Sequence, residues 1–165
     1  HGQAEDLGIM VAKFMASAAA QIMVKAVPAD LVDRYGIVQL EHKIPALGES
    51  APMVGIVEKP SVEKAPSRLS VVGRYVLPGS IMGILARTRP GADGEIQLTD
   101  AIASLMQQHA VEAYSMRGRA FDCGSKTGYL QALFHFAARH PDLGAIAKSM
   151  MAAEIRDNAI DDVSG

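Results

Sequence analysis

The apolar positions at the start of the chain follow a helical period. Leu7, Met10, Val11, Phe14, Met15 and Ala18 recur three or four residues apart, which lays them on one stripe of a first helix. The period then changes. Gln21 to Val27 is an almost continuous apolar run of strand length, stopped by Pro28, which has no N–H to give a ladder. Ala29 to Arg34 reads as a polar connector, and Tyr35-Gly36-Ile37-Val38 as the start of a short strand in which Gly36 allows a close approach to the backbone. Glu41 to Pro52 holds two prolines, a glycine and mixed charges, the composition of a surface loop or a hairpin of edge strands.

Val54 to Lys59 reads as a short strand closed by Pro60, which sets Glu58 and Lys59 at a strand's carboxyl end, where open α/β sheets place ligands. Ser61 to Ser67 is a loop, Leu69 to Leu77 a strand, and Ser80 to Thr88 a helix with Ile81, Ile84 and Leu85 on one face. Turns at Pro90-Gly91 and Asp93-Gly94 lead to a helix over Glu95 to Gln108, built on Leu98, Ile102, Leu105 and Met106. Val111 to Met116 alternates like a half-buried strand. Ala120-Phe121-Asp122 reads as a short apolar strand. Beyond Cys123-Gly124, the residues Tyr129, Leu130, Leu133, Phe134 and Phe136 predict a helix apolar over much of its surface and therefore deeply packed. Pro141 suits the first turn of a last helix with the stripe Leu143, Ile146, Ala147, Met150 and Met151, followed by a polar tail at 157–165. Strands alternating with helices give an α/β layered architecture.

Composition narrows the function classes. The 165 residues are 49% hydrophobic, enough for one core, and 16 basic residues nearly balance 18 acidic ones, so neither a nucleic-acid surface nor a polybasic membrane surface is expected. Each apolar stretch breaks well before the roughly 20 residues needed to span a membrane. With a single cysteine, Cys123, no internal disulfide is possible, and a reducing cytoplasm is the expected compartment. His42, His109, His135 and His140 lack zinc-site spacing, and there is no nucleophile elbow, dinucleotide fingerprint or phosphate loop.

Candidate chemistry rests on a few polar residues. A Glu58 carboxylate accepts hydrogen bonds from sugar hydroxyls and a Lys59 ammonium meets a phosphate, although neighbours on a regular strand point to opposite faces and a solvated strand end is the plainer alternative. Asp122 is a candidate for a metal–phosphate complex, since Mg²⁺ takes only one or two protein carboxylates; a turn-initiating Asp is the competing reading. Lys126, one turn into the next helix, can reach an anion or lie on the surface. Tyr75 offers a ring or hydroxyl to a sugar, or serves the core. Gly36 and Gly73 permit close approach or mark bulges. In Gly94-Glu95-Ile96-Gln97-Leu98-Thr99-Asp100, the macrodipole of the helix accounts for Glu95.

Five blocks in order carry a resemblance: Arg34-Tyr35-Gly36-Ile37-Val38; Val57-Glu58-Lys59-Pro60; Val71-Val72-Gly73-Arg74-Tyr75-Val76-Leu77; Gly94 to Asp100; and Phe121-Asp122-Cys123-Gly124-Ser125-Lys126-Thr127-Gly128-Tyr129. Together they resemble the bacterial UTP–glucose-1-phosphate uridylyltransferases, or UDP-glucose pyrophosphorylases, from the first helix to about Gly144. The Phe-Asp-Cys-Gly block separates that family from its thymidylyl and adenylyl relatives.

The resemblance implies a Rossmann-like sugar nucleotidyltransferase α/β/α sandwich, a mixed sheet with flanking helices. It also implies a reaction of UTP with glucose 1-phosphate that yields UDP-glucose and pyrophosphate, with Mg²⁺ as cofactor. Gly36 would then contact the sugar through its backbone, Glu58 its hydroxyls, and Lys59 the sugar phosphate as the catalytic cation. Asp122 would bind metal, with Tyr75 and Lys126 in the sugar and phosphate shell. The family's Gly-rich nucleotide loop and first metal-binding aspartate have no counterpart in the chain. Residues 1–156 are therefore expected to be the carboxy-terminal, sugar-phosphate-binding part of the domain, inactive alone, within a homo-oligomer. The alternatives are a non-catalytic assembly module and a related enzyme for another nucleotide.

Overall fold

A computed structural model describes residues 2–161 of the chain apart from Ala92 and Asp93. The chain separates into two compact units, residues 1–119 and 120–165. The first holds α1 (Gly2–Ser17), β1 (Ala20–Ala26), β2 (Gly36–Leu40), β3 (Ser50–Glu58), β4 (Leu69–Val76), α2 (Ile81–Leu85), α3 (Leu98–Leu105) and β5 (Val111–Ser115). The second holds α4 (Lys126–Ala137) and α5 (Gly144–Asp161). The last helix thus runs into the stretch read as a polar tail, and 162–165 lie outside the described residues, as does Asp93 of the expected turn.

The mixed sheet with flanking helices is the expected architecture, and β1 is paired on both sides. Its first five residues are all buried, as befits a strand paired on both sides, antiparallel to β4 and parallel to β5. The sheet does not stay open, however: its order β1-β4-β2-β3-β5 closes into a barrel. The cause is β3, which begins four residues before the strand expected from the apolar run. Its second half pairs with β2 and its first half, Ser50 to Pro52, with β5, so one long strand joins two edges. Buried Gln21 fastens this closure. Its amide nitrogen donates to Glu112 Oε2 of β5 at 2.8 Å and its Oε1 accepts from Ser50 Oγ of β3 at 2.8 Å, which satisfies a polar group that burial would otherwise penalise.

Helix α3 packs against β3 and α2 with Thr99, Ala101, Ile102 and Leu105 buried. Ile102 and Leu105 are fully enclosed, each contributing about 1.5–3 kcal/mol of burial. The helix starts at Leu98 rather than Glu95. The Glu95 carbonyl accepts instead from Gly91 N at 2.8 Å, and Gln97 is extended.

Two expectations fail in the second unit. Residues 120–122 form no strand, because Asp122 closes a turn: its Oδ1 accepts from Gly124 N at 3.1 Å and its carbonyl from Ser125 N at 3.2 Å. Helix α4 is not deeply packed. Only Gly128 and Ala132 are buried, and Tyr129, Leu130, Leu133, Phe134 and Phe136 stand about half exposed or more. Apolar residues encircle this helix, and α5, the one other helix of the unit, cannot cover every side.

Candidate functional site

Gly36 and Glu58 are register partners at one end of the β2–β3 ladder, which brings a glycine opposite a half-buried carboxylate. A Cβ on Gly36 would lie 2.9 Å from Thr99 Cγ2, 3.2 Å from Glu58 Oε2 and 3.5 Å from Val71 Cγ2. Side chains from β3, β4 and the first turn of α3 thus crowd around Gly36 of β2. The glycine at 36 is required because a side chain would meet Thr99, a stiff β-branched residue packed in the core.

Tyr75 belongs to the same corner. Burial pushes its phenol above the usual range and the nearby Glu58 charge pushes it further, so the hydroxyl stays protonated and able to donate. The strand carrying it is irregular. Ile22 pairs with Tyr75 and Val24 with Val71, a bulge on β4 around Gly73, whose φ of 77° favours glycine. Gly73 is therefore a bulge glycine, and it sets the offset at which Tyr75 returns to the ladder.

Lys59 leaves the strand with φ 42°, a left-handed conformation that costs a lysine about 1–2 kcal/mol. Its N–H donates to the Tyr35 carbonyl at 3.1 Å. The alternation that would send Glu58 and Lys59 to opposite faces stops at Glu58, because Lys59 is not in extended backbone. The lysine side chain is exposed.

In the second unit, Asp122 and Lys126 flank the amino end of α4. The Asp122 carboxylate is exposed, Ser125 caps the helix by accepting from Gly128 N at 3.0 Å, and Lys126 is the first helical residue, exposed. Gly128 has no room for a side chain: a Cβ would strike the Asp122 carbonyl and lie 2.8 Å from Ser125 Oγ. The turn that presents Asp122 is thus built into the sequence at 122–128. Among the described residues no cluster of three His, Cys, Asp or Glu suits a metal. The exposed Asp122 carboxylate nevertheless fits Mg²⁺ chemistry, which draws most ligands from water and phosphate.

Sequence reasoning passed over two features. Thr99 is 6% exposed with its Oγ1 lacking any hydrogen-bond partner, a buried orphan that costs about 1–3 kcal/mol. Its signal was available, since it lies three residues before buried Ile102 on the inward helix face. The second is fully buried Asp6 of α1, whose Oδ1 accepts from the Tyr114 hydroxyl at 2.8 Å and Arg117 Nε at 3.2 Å. Its Oδ2 accepts from the backbone N–H groups of Arg117 and Gly118, both at 3.1 Å. No sequence pattern marked an acid in the first turns of a helix as a core residue.

The nucleotidyl transferase family model matches residues 1–139. The chain is 48% identical over 151 residues to the UTP–glucose-1-phosphate uridylyltransferase of Escherichia coli (strain K12), covering 92% of this chain and 49% of that protein. Its structure is similar to that of a UTP-bound UGPase from Acinetobacter baumannii, with a TM-score of 0.80 and 55% identity, covering 89% of this chain and 50% of that one. A UDP-glucose pyrophosphorylase complexed with UDP-glucose follows at TM-score 0.72 and 33% identity, with coverage of 79% and 48%. The resemblance carried by the five blocks is borne out. The chain spans about half the length of the relatives it matches.

Proposed function

Since this chain belongs to the nucleotidyl transferase family, we propose that it carries the sugar-phosphate-binding part of a UTP–glucose-1-phosphate uridylyltransferase. The observation behind this reading is the corner where Gly36, Glu58, Tyr75 and Thr99 meet, with Lys59 on the adjacent position. A half-buried carboxylate at the strand end suits the hydroxyls of a sugar ring, and the ammonium on the next residue suits that ring's phosphate.

In the reaction, a phosphate oxygen of glucose 1-phosphate forms a bond to the α-phosphorus of UTP. The bond from that phosphorus to the bridging oxygen breaks, and pyrophosphate leaves with UDP-glucose as the other product. Glu58 accepts from the sugar hydroxyls and holds the ring, Gly36 lets the ring approach the backbone, and Tyr75 donates from its protonated phenol. Lys59 offsets the repulsion between two polyanions and stabilises charge on the transferring phosphoryl group. Lys126 adds a cation at the amino end of α4. Asp122 would be this chain's ligand to Mg²⁺, which supplies charge neutralisation at the phosphates. The reading carries with it a cytoplasmic enzyme.

Calorimetric titration of the 165-residue chain with glucose 1-phosphate tests the assignment. Binding is expected, weakened about tenfold or more in Glu58→Gln, because a neutral amide replaces a charged acceptor. A wild-type chain that shows no heat of binding overturns the reading. Uridylyl transfer by these 165 residues alone is not expected, since they contain no Gly-rich nucleotide loop.

The terminal helix supports a further role in assembly. Leu143, Ile146 and Met150 are 54%, 57% and 65% exposed, an apolar stripe of the kind that marks interaction surfaces. A homo-oligomer built through this stripe is the form proposed.

A further inference from the structure

Helix α2 ends at Leu85, but its backbone keeps turning: Arg87 N donates to the Ile84 carbonyl at 2.9 Å and Thr88 N to the Leu85 carbonyl at 3.1 Å. This sets Arg87 and Arg89 beside α3, against which α2 packs. Helix α3 turns Ala101, Ile102 and Leu105 into the core, so Asp100, Ser104 and Gln108, four residues apart, form an exposed stripe along it and the turn that continues it. Between stripe and arginines lies an open cleft of about 460 Å³, a size within the roughly 300–1,000 Å³ of small-molecule sites.

The polar groups of this cleft are unspent. Among the described residues, the guanidinium groups of Arg87 and Arg89, the Asp100 carboxylate and the Gln108 amide make no hydrogen bond or ion pair with another side chain or with the backbone. The hydroxyls of Thr88 and Ser104, by contrast, donate to the Ile84 and Asp100 carbonyls, both at 3.0 Å. One solvated arginine on a surface is ordinary. Two guanidinium groups and an amide lining one concavity form a set of donors for an anion, and guanidinium forks match phosphate oxygens two at a time.

Asp100 narrows the class. A carboxylate only accepts, so it repels a bare anion but takes hydrogen bonds from hydroxyls that a ligand carries beside its anionic group. We propose that the cleft is a second ligand site, for a phosphate ester of a hydroxyl-bearing ring. Arg87, Arg89 and Gln108 hold the phosphate and Asp100 accepts from the ring hydroxyls. Sugar phosphates and nucleotides share this chemistry. The site is distinct from the Gly36–Glu58 corner, because Thr99 faces inward toward that corner while Asp100 faces the cleft. The inference does not depend on the sugar-phosphate reading.

The test titrates the ¹⁵N-labelled full chain with ribose 5-phosphate, adenosine 5′-monophosphate and inorganic phosphate, following backbone amide signals by NMR. Saturating shifts are expected within 84–89 and 100–108, weakening as salt is raised. Tighter binding of the monophosphate nucleoside assigns a nucleotide, and equal binding a sugar phosphate. Arg87→Gln with Arg89→Gln should weaken ribose 5-phosphate about tenfold or more. Asp100→Ala should weaken it about fivefold while inorganic phosphate binds as well as before or better. Should the paired glutamine variant melt lower than wild type, the paired lysine variant, which keeps both charges, is expected to recover binding to within about threefold; failure to recover it overturns the inference. No saturating shifts in the wild type, shifts confined to other residues, or unchanged affinity in the paired glutamine variant overturn it as well. Equal weakening of phosphate and ribose 5-phosphate in Asp100→Ala overturns the proposed ligand class.

Discussion

Lys59 holds a left-handed backbone at the end of β3, a conformation that glycine adopts without penalty. A residue kept there against its preference is found where surrounding structure, here the Tyr35 carbonyl that its N–H meets, over-determines the backbone. Replacing it separates backbone from side chain. Lys59→Gly is expected to melt at or above the wild-type temperature while losing affinity for glucose 1-phosphate. A lower melting temperature would show that the lysine side chain itself supports the fold. This strain was not legible in the sequence, because a Glu-Lys pair before proline reads as regular strand up to the last residue. Glu58 was legible as a strand-end acid. The inward position of Thr99 was legible from its spacing to Ile102, but that packing would leave its hydroxyl without a partner was not.

At the scale of elements, α1 is tied to the exit of β5 through Asp6. Burial alone pushes the Asp6 carboxyl up, but hydrogen bonds from Tyr114, Arg117 and Gly118 together outweigh it and hold the carboxyl below its ordinary value. Burial, with Asp6 beside it, pushes the Tyr114 phenol up to about 12. Asp6→Ala should cost about 3 kcal/mol in urea unfolding, because it strands the Tyr114 hydroxyl and two backbone N–H groups. The pH dependence has a definite sign. With the folded value below the unfolded one, the Asp6 contribution is fully present above the ordinary carboxyl range and is lost as pH falls through the lowered folded value. The stability gap between wild type and Asp6→Asn is therefore expected to narrow in acid, and a gap that widened would refute the assignment. The elements themselves were well marked by period, from α1 through β5. Their ends were less so: β3 gained its first residues, Ser50 to Met53, from pairing with β5 and β2 rather than from any apolar run.

At the scale of the whole molecule, two compact units differ in how they bury apolar residues. The first encloses its core within a closed sheet and α3, whereas the second leaves much of α4 and α5 apolar and exposed. Such surface favours association. Sedimentation or gel filtration across a concentration series is expected to show self-association, reduced when Ile146 and Met150 are both replaced by Glu. A monomer at every concentration would refute assembly through this stripe.

Periodicity, turn residues and the five ordered blocks, all of them local in the chain, determined the order of elements, the mixed α/β class and the family. The tertiary structure alone decided that the sheet closes, that α4 stays exposed, and that Glu58 and Thr99 pack around Gly36. The physical reason is range. A helix or strand signal is carried by residues within a few positions of each other, but a site assembled from β2, β3 and α3 depends on strand register and on how a helix packs against a sheet. Those are set by the summed burial of the core, which no short stretch of sequence contains.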